Sequence, residues 1–497
     1  MIELFLVGGL LVFALYAWSM NTRRSDGRKV PPGPDQSLVF GNFKDIDTER
    51  VHQSLHALSK KYGTIMSIRL LRRKIVVLNS ADVINEAFGS EQYKDLLNDK
   101  AQGFYGTYLV YGHADVLLGP CRDLTFRIKE VMSLGLRPAM VPSALAGDCR
   151  KLLEMLGKHG SNDFDPADDL QTLFAEVTSK LISGEVKDGD VKLMWDFVDW
   201  SNRLLNPSVE SLLKNFPFLR HLPVKVGVLF REVLAKRDVL LARYLDTTRE
   251  TYVKGKVRGL VDTCFAIQEN EIRANGESWL TDDMVRATIL DTIGAGLVST
   301  TNSVLAVILN LLHNPACQDR MRQELRAVVH PAALVTQADM NGLPYCRAVV
   351  METLRLSCVV PIVSHYCSAG DVDLAGYTIE KGTMVWGNLW SALHDDHIWV
   401  EPWSFKPERF LDDDGKLLPK EHKFMKALIP LGVGRRICVG YDFAMTRIFA
   451  FVTTMVQHYD ITPPVDTELL SNDPNLFSAG AVLQPDRFKC KLVKIQK

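Results

Sequence analysis

The sequence lacks any regular arrangement of cysteines. Its nine cysteines stand alone, with no Cys-x-x-Cys pair, so neither a zinc site nor a disulfide framework is indicated. An odd number of scattered cysteines suits a reducing compartment. An open Asn-x-Ser/Thr glycosylation acceptor is also missing, because the match at Asn206-Pro207-Ser208 is blocked by its proline. The net charge is only -1, so nothing in the overall charge points to nucleic acid.

What is present is the composition of a folded globular protein. The chain has 497 residues, of which 47% are hydrophobic and 24% charged. That length exceeds what one ordinary core needs. Either several domains or one large domain organised by a cofactor is therefore expected.

A long hydrophobic run stands near the N-terminus, from Leu4 to Met20. Its length is at the short end of what a membrane-spanning helix needs. Glu3 precedes the run and a basic cluster follows from Arg23, which places the rest of the chain in the cytosol. A cleaved signal peptide would carry its positive charge in front of the run. Residues 1–20 are therefore expected to be an uncleaved single-pass anchor in the endoplasmic reticulum membrane.

Three patterns follow the anchor. Residues 21–34 combine the basic cluster with Val30-Pro31-Pro32-Gly33-Pro34, which predicts a stiff extended elbow before a main domain at 35–497. The stretch Ile65 to Asn79 places charged residues between two apolar β-branched segments, which predicts a hairpin. The pattern from Ala81 to about Cys358 is mostly helical.

The clearest single element is a helix from Thr281 to His313. Thr281 is a favourable N-cap residue, two aspartates follow it, and Pro315 stops the helix. The helix is apolar nearly all round, so it is expected to be buried. Two glycines and three hydroxyl residues weaken its middle at 294–301. Such a defect either serves packing or admits a ligand.

Two patterns in the second half of the chain are weak when taken alone. Glu352 and Arg355 are three residues apart, so they can pair on one helix face. Such pairs are common on solvated helix surfaces. An irregular loop rich in aromatic residues and proline runs from His394 to Phe410.

The most specific pattern is the stretch from Leu431 to Gly440, which surrounds Cys438. A lone cysteine is usually a small buried hydrophobe. Here, however, glycines allow a tight turn and the close approach of backbone to a flat ligand. N–H groups at the start of the next helix, from Tyr441, can hold the sulfur as a thiolate. Such an anion suits ferric porphyrin, and Arg435 or Arg436 can pair with a propionate.

In the combination and order of these motifs, the chain resembles the cytochrome P-450 superfamily. The similarity extends from Pro31 to Phe488 and is greatest to animal microsomal members that hydroxylate drugs and steroids. Supporting stretches are Leu343-Pro344-Tyr345, Gly376-Tyr377-Thr378-Ile379, Lys381-Gly382-Thr383 and Asn388-Leu389-Trp390. The resemblance implies a mainly α fold with a smaller β-rich region. It also implies haem b as the cofactor, with a thiolate ligand that favours O–O cleavage.

The resemblance also implies roles for individual residues. Cys438 is expected to be the axial metal ligand, and Glu352, Arg355 and Arg409 a buried ion triad. The expected catalytic hydroxyls are Ser299 and Thr300, and the further expected haem contacts are Arg436, His365, Lys100, Arg127, Ala295, Gly432 and Gly440.

Three departures from the family pattern bear on the chemistry. Leu431 stands where the family has a phenylalanine beside the sulfur. The early-helix motif Trp-x-x-x-Arg lacks its tryptophan, which leaves Arg122 or Arg127 to bind a propionate. On the distal helix, Val298 and Ser299 replace an acid and a threonine. The hydroxyl is therefore kept, but the acid that sustains proton delivery to oxygen is lost.

The leading hypothesis is a monooxygenase that inserts one oxygen atom from O2 into a lipophilic steroid, lipid or xenobiotic. Electrons would come from NADPH-cytochrome reductase, with cytochrome b5 as a further candidate partner. One alternative is an isomerase or dehydratase that rearranges a hydroperoxide without O2. Another is a non-catalytic relative that binds haem or lipid.

By the same resemblance, a largely apolar set of residues is expected to line the substrate pocket, with ordinary core packing as the alternative. These residues are Tyr105, Tyr108, Val110, Asn202, Leu205, Phe216, Ala295, Ser299, Val360, Ile362, Val363, Phe477, Ala479 and Val482. A basic dock for an acidic reductase is expected at Lys420, His422, Lys423, Lys426 and Arg435. The alternative for these is a solvated loop.

Overall fold

The computed structural model describes residues 29–465, 467–480 and 482–495. The predicted anchor at 1–20 lies outside these residues and stays a prediction. The chain divides into two compact units. Unit 1 contains the residues up to Ala101, Ile362–Ala392 and Val433–Arg436, and unit 2 contains Gln102–Pro361, Leu393–Gly432 and the residues from Ile437. This division is finer than the single domain predicted for 35–497.

Unit 1 is built on a four-stranded sheet. The strands of this sheet are β1 (Ile65–Leu70), β2 (Arg73–Leu78), β3 (Ile362–Tyr366) and β6 (Met384–Asn388), and unit 1 also contains β4 (Val372–Leu374) and β5 (Tyr377–Ile379). β1 and β2 form the predicted antiparallel hairpin, with Ile65 opposite Leu78. β6 lies parallel to β2 and antiparallel to β3, which gives the order β1-β2-β6-β3. β4 and β5 form a separate antiparallel pair.

The core of unit 1 follows from the two-residue period of its strands. Alternate residues point to the same face of a sheet, and the buried ones on this face pack with Leu55 of helix α1 (Val51–Tyr62). The members on β1 and β2 are Met66, Ile68, Ile75 and Val77. The predicted elbow is held on β1 as well, because Ser67 N donates to Pro32 O at 2.7 Å.

Unit 2 is mainly helical. Its longer helices are α2 (Asp123–Leu136), α3 (Pro142–Gly157), α4 (Pro166–Ser183), α5 (Asp190–Leu204), α6 (Pro207–Asn215), α7 (Lys225–Leu241), α8 (Leu260–Asn275), α9 (Asp282–His313), α10 (Pro315–Val328), α11 (Pro344–Ser357) and α12 (Tyr441–His458). Strands β7 (Tyr459–Thr462) and β8 (Lys491–Lys494) pair antiparallel at its C-terminal end.

The long helix α9 begins and ends where the sequence predicts. The Thr281 hydroxyl accepts a hydrogen bond from Met284 N at 3.3 Å, and Pro315 begins the next helix. The 32 residues of α9 span about 48 Å, and α9 packs against α4, α11 and α12. It has the length and apolar composition of a membrane-crossing helix, but most of that stretch is buried inside the protein. Its apolar surface is therefore that of a core helix.

Candidate active site

The predicted thiolate residue, Cys438, lies in an exposed loop immediately before α12. Cys438 N donates to Leu431 O at 3.1 Å, which closes the loop. Desolvation raises the pKa of the Cys438 thiol, whereas a backbone hydrogen bond from Gly440 and the charge of Lys129 act in the opposite direction. These last two influences are the ones that favour a thiolate. The loop therefore leaves Cys438 exposed, with a backbone N–H and a cation beside its sulfur.

Lys129 is a residue of this loop that the sequence analysis missed. It lies on α2, and its Nζ donates to Ile437 O at 2.9 Å, directly before Cys438. The positive charge favours the anionic form of the neighbouring sulfur. A single lysine on an amphipathic helix carries no signal of its own. Its partner is 308 positions away in the chain, so the contact exists only after folding.

Arg127, on the same helix, has a different environment from the one expected. Its guanidinium lies 3.8 Å from the ring centre of Trp279 and 3.8 Å from a carboxylate oxygen of Glu271. Stacking on an indole and pairing with an acid already use its planar charge. The assignment of Arg127 to a haem propionate stays a prediction.

Three glycines in this segment differ in their backbone angles and in the space beside them. Gly432 adopts φ 76° and Gly434 φ 67°, a backbone region that disfavours other residues. A Cβ on Gly434 would stand 1.9 Å from Phe88 O within unit 1, so no side chain fits there. Gly440 has ordinary dihedral angles, and a Cβ on it would meet none of the described atoms within 4 Å. The space beside Gly440 is therefore open to a bound group.

The predicted defect in α9 is an opening in its packing. Gly294 and Ala295 are exposed, although the helix is buried along most of its length. The Ser299 hydroxyl donates to Ala295 O at 2.8 Å, so its proton is used within the helix. Thr300 is buried, and Val298 is half-buried and offers no polar side-chain atom. The helix thus stays intact while leaving its backbone open at Gly294 and Ala295.

Lys100, His365 and Arg436, three of the predicted haem contacts, lie together in unit 1. Burial holds the pKa of His365 well below its usual value, and the charges of Lys100 and Arg436 lower it further. The His365 ring stacks on Phe88 at 4.1 Å, and its buried Nδ1 has no hydrogen-bond partner among the described residues. Arg436 Nε donates to Asn98 O at 3.0 Å. Two cations beside an unpartnered imidazole nitrogen suit a carboxylate ligand.

The residues of the predicted ion triad are in contact inside unit 2. Arg355 binds Glu352 through two hydrogen bonds of 2.7 and 2.9 Å, and both side chains are 0% exposed. Arg409 Nε donates to the same carboxylate at 3.1 Å, and Lys406 N donates to it at 3.0 Å. Arg355 also reaches Leu393 O at 2.8 Å. The buried carboxylate is therefore fully paired, as a buried charge requires.

Another buried acid, Asp291 on α9, was not predicted from the sequence. Its Oδ2 accepts hydrogen bonds from Val116 N at 2.8 Å and Leu117 N at 3.2 Å. Desolvation, followed by the nearby charge of Asp115, raises the pKa of Asp291 well above its usual value. The Asp115 pKa is also raised by desolvation, and its Oδ1 has no donor among the described residues. A single proton shared by the two carboxyls removes the repulsion between two negative charges, and it gives the Asp115 oxygen a donor.

We expect Asp291→Asn to make the free energy of unfolding less sensitive to rising pH. A folded-state pKa above the unfolded value contributes stability at low pH, which is lost as pH rises through the folded pKa. Between the unfolded and the folded pKa, the wild type should lose about 1.4 kcal/mol per pH unit relative to the variant, and above the folded pKa the difference should stay constant. The amide oxygen can keep the two backbone bonds, and its NH2 can donate to Asp115. The midpoints of thermal unfolding of both proteins, from pH about 4, the ordinary pKa of an aspartate, up to pH about 9, measure this. Identical pH profiles would contradict a raised pKa.

Comparison with known proteins decides the family. The family model described as Cytochrome P450 matches residues 31–492. The chain belongs to the cytochrome P450 family. This P450 is 27% identical over 468 residues to cytochrome P450 2D14 of Bos taurus, with 92% of this chain and 91% of the relative covered. It is 27% identical over 482 residues to cytochrome P450 1A1 of Mesocricetus auratus (91% and 89% covered). It is 26% identical over 489 residues to cytochrome P450 2U1 of Bos taurus (92% and 89% covered).

Membership makes this P450 a haem-thiolate monooxygenase whose cofactor is haem b. The residues present fit that group in each unit separately. Unit 2 offers the open backbone at Gly294 and Ala295 and the exposed Cys438 sulfur. Unit 1 offers the unpartnered Nδ1 of His365 beside two cations. The predictions of family, enzyme class and cofactor are confirmed.

The side chains predicted to line a substrate pocket in this P450 differ widely in exposure. In unit 2, Phe477 is buried and Val360 is half-buried, whereas Phe216 is 51% exposed and lies 6.4 Å from the Phe218 ring. Of the predicted basic dock, Lys420, Lys423 and Lys426 are exposed in unit 2, and His422 caps the short helix Lys423–Ala427. In unit 1, Arg435 pairs with Asp95 at 2.7 Å. Its charge is therefore partly neutralised.

Proposed function

We propose that this P450 inserts one atom of O2 into a lipophilic small molecule, using electrons delivered by an NADPH-dependent reductase. The observation that carries the proposal is the open stretch of α9, where Gly294 and Ala295 are exposed in an otherwise buried helix. Bare backbone at that point leaves room for a flat group and for a substrate beside it. Haem, when bound, supplies the redox chemistry; the protein positions it and governs the supply of protons.

Cys438 is the proposed metal ligand, with the Gly440 N–H and Lys129 stabilising its anionic form. His365, Lys100 and Arg436 are the proposed partners of the carboxylates of the haem. Glu352, Arg355 and Arg409 hold α11 to the segment that begins at Lys406. They act through the fold rather than on the substrate.

The proposed substrate is lipophilic because most side chains expected around it are apolar. Phe477 and Val110 are buried, and Leu205, Val360 and Val482 are half-buried. Apolar walls with few polar groups are typical of sites for hydrophobic small molecules. They do not distinguish a steroid from a lipid or a foreign compound.

A membrane location at the endoplasmic reticulum is part of the proposal. The relatives named above are animal P450s, and an apolar run precedes the described residues. Exposed apolar side chains also concentrate in one stretch of unit 2, over α6, the turn after it and the start of α7. They are Leu212, Phe216, Phe218, Leu222, Val224 and Val228. An apolar patch on a protein surface commonly marks a contact with a membrane or a partner.

The exposed lysines Lys420, Lys423 and Lys426 are the proposed contact for an acidic reductase. Positive charge on one surface stretch raises the rate of encounter with a negative partner. Cytochrome b5 is a second candidate partner for the same reason.

A second candidate function has one observation in its favour. Val298 provides no acid on α9, and the Ser299 proton is used by Ala295 O. A protein that rearranges a hydroperoxide, and so needs no O2 activation, would not require an acid there. This candidate differs from the first in needing neither NADPH nor O2.

The deciding experiment counts product, hydrogen peroxide and NADPH together, with isotopically labelled O2 and a reductase. We expect labelled oxygen in the product, with substantial peroxide output from wild type, because Val298 cannot relay a proton. Ser299→Ala should raise the peroxide released per product by at most about 100-fold, the low end of what general acid–base catalysis contributes. Val298→Glu should lower it, provided that the variant folds with its acid paired.

The matched control is Ser303→Ala, which removes a hydroxyl that donates to Ser299 O one turn further along α9. We expect this variant to release about as much peroxide per product as wild type. If wild type converts nearly all its NADPH into product, and Ser299→Ala does not change this, the proposed role of Ser299 and Val298 in proton supply is contradicted. Rapid hydroperoxide turnover without NADPH use or label incorporation would establish the second candidate instead.

A further inference from the structure

Unit 2 contains a cavity of about 450 Å³ that holds none of the residues expected to line the substrate pocket. It lies between α11, the segment Lys420–Gly432 and α12. Much of its wall consists of apolar side chains. Three of them are methionines: Met351 on α11, Met425 in the segment Lys420–Gly432 and Met445 on α12. Its volume lies in the range of small-molecule sites. Methionine side chains adapt readily to the shape of a ligand.

Arg347 is a half-buried charged group in the wall of this cavity. Every residue of α11 is buried except Pro344 and Arg347, so the arginine stands out on a helix that otherwise serves the core. Burial lowers the pKa of Arg347, an effect that Tyr441 partly offsets. Its guanidinium has no hydrogen bond or ion pair with any residue that the structure describes. A guanidinium partly removed from water is stabilised by an anion.

The charge around the opening favours an anion as well. Lys420 lines the cavity and is exposed, and no described residue pairs with it. Asp442, also exposed, is the one acid in the lining. Two cations against one acid leave the recess positive. Apolar walls with positive charge match a molecule that joins a carboxylate to a hydrocarbon chain.

We propose that this cavity binds an amphiphilic carboxylate of the fatty-acid type, with its carboxylate on Arg347 and its chain among the methionines. Binding there also reaches the thiolate loop. Leu431 lines the cavity, and its carbonyl oxygen accepts the hydrogen bond from Cys438 N at 3.1 Å. An occupant that moves Leu431 therefore alters the surroundings of the sulfur. The cavity is thus a regulatory site as well as a binding site.

The test is calorimetric titration of the haem-loaded protein with decanoate, after saturation with a bulky aryl-imidazole that coordinates the iron. The imidazole fills the substrate pocket, so the binding that remains is to other sites. We expect saturable decanoate binding in wild type and a rise in Kd of about tenfold or more in Arg347→Gln, since a charged hydrogen bond is lost. Met425→Trp, which keeps the charge and fills the cavity, should weaken binding similarly. Decan-1-ol should bind at least about tenfold more weakly than decanoate.

The matched control is Arg150→Gln, which removes an exposed arginine on α3 and should leave the decanoate Kd unchanged. The proposal is overturned if wild type shows no saturation up to about 1 mM decanoate. It is overturned equally if Arg347→Gln binds as tightly as wild type, or if decan-1-ol matches decanoate. A Soret band that does not shift on saturation would remove the link to the thiolate loop. None of these results depends on the identity of the substrate, so they are distinguishable from a failure of the proposed monooxygenation.

Discussion

Glu352→Ala should lower the free energy of unfolding by about 3–5 kcal/mol, because it leaves two arginines with buried, unpaired charge. Arg355 and Glu352 are 0% exposed, and Arg409 is 6% exposed. Single domains are stable by only about 5–15 kcal/mol, so the yield of folded protein should fall sharply. Urea titration of the haem-loaded protein measures the shift in the midpoint.

The control for this prediction is a carboxylate–guanidinium ion pair that is exposed to solvent. Asp199 binds Arg203 at 2.7 Å on α5, with side chains 60% and 57% exposed. Asp199→Ala should therefore cost no more than about 0.5 kcal/mol. If the two alanine variants unfold at the same urea concentration, the buried pairing does not stabilise the protein as argued.

Cys438→Ala should abolish the strongly red-shifted Soret band that the reduced carbon-monoxide complex shows with thiolate ligation. Alanine has no sulfur, and the other cysteines of unit 2 do not share the glycine-framed loop before α12. The control is Cys317→Ala, which removes a half-buried cysteine and should keep the band. A Cys438→Ala protein that retains the band would show that another residue ligates the iron.

The extent to which the sequence predicts this molecule depends on how local each feature is. The bounds of α9 follow from Thr281 at one end and Pro315 at the other, and the β1–β2 hairpin follows from a short alternating pattern. The pairing of Glu352 with Arg355 follows from helical spacing. Each of these features is decided by residues within a few positions of one another, so local physics suffices.

The candidate site was harder to predict from the sequence, because its groups are far apart in the chain and meet only in the folded protein. Cys438 was predicted from its glycine and arginine neighbours and from family resemblance. Lys129 was not, since its contact with Ile437 O joins distant segments. Arg127 was assigned to haem by alignment with a motif, yet Trp279 and Glu271 engage it in the fold. A sequence motif identifies a residue by its position in the chain, but the fold decides which residues contact it.

By itself, the sequence determined the family, the cofactor and the caps of the long helix, because these rest on ordered motifs and on spacing within single elements. Only the tertiary structure decided which charges from distant segments are paired. It buried Asp291 against Asp115, and among the residues that the structure describes it left the Arg347 guanidinium without an acceptor in a largely apolar recess. Electrostatic energies depend on distance and burial, and neither quantity exists until distant segments pack together.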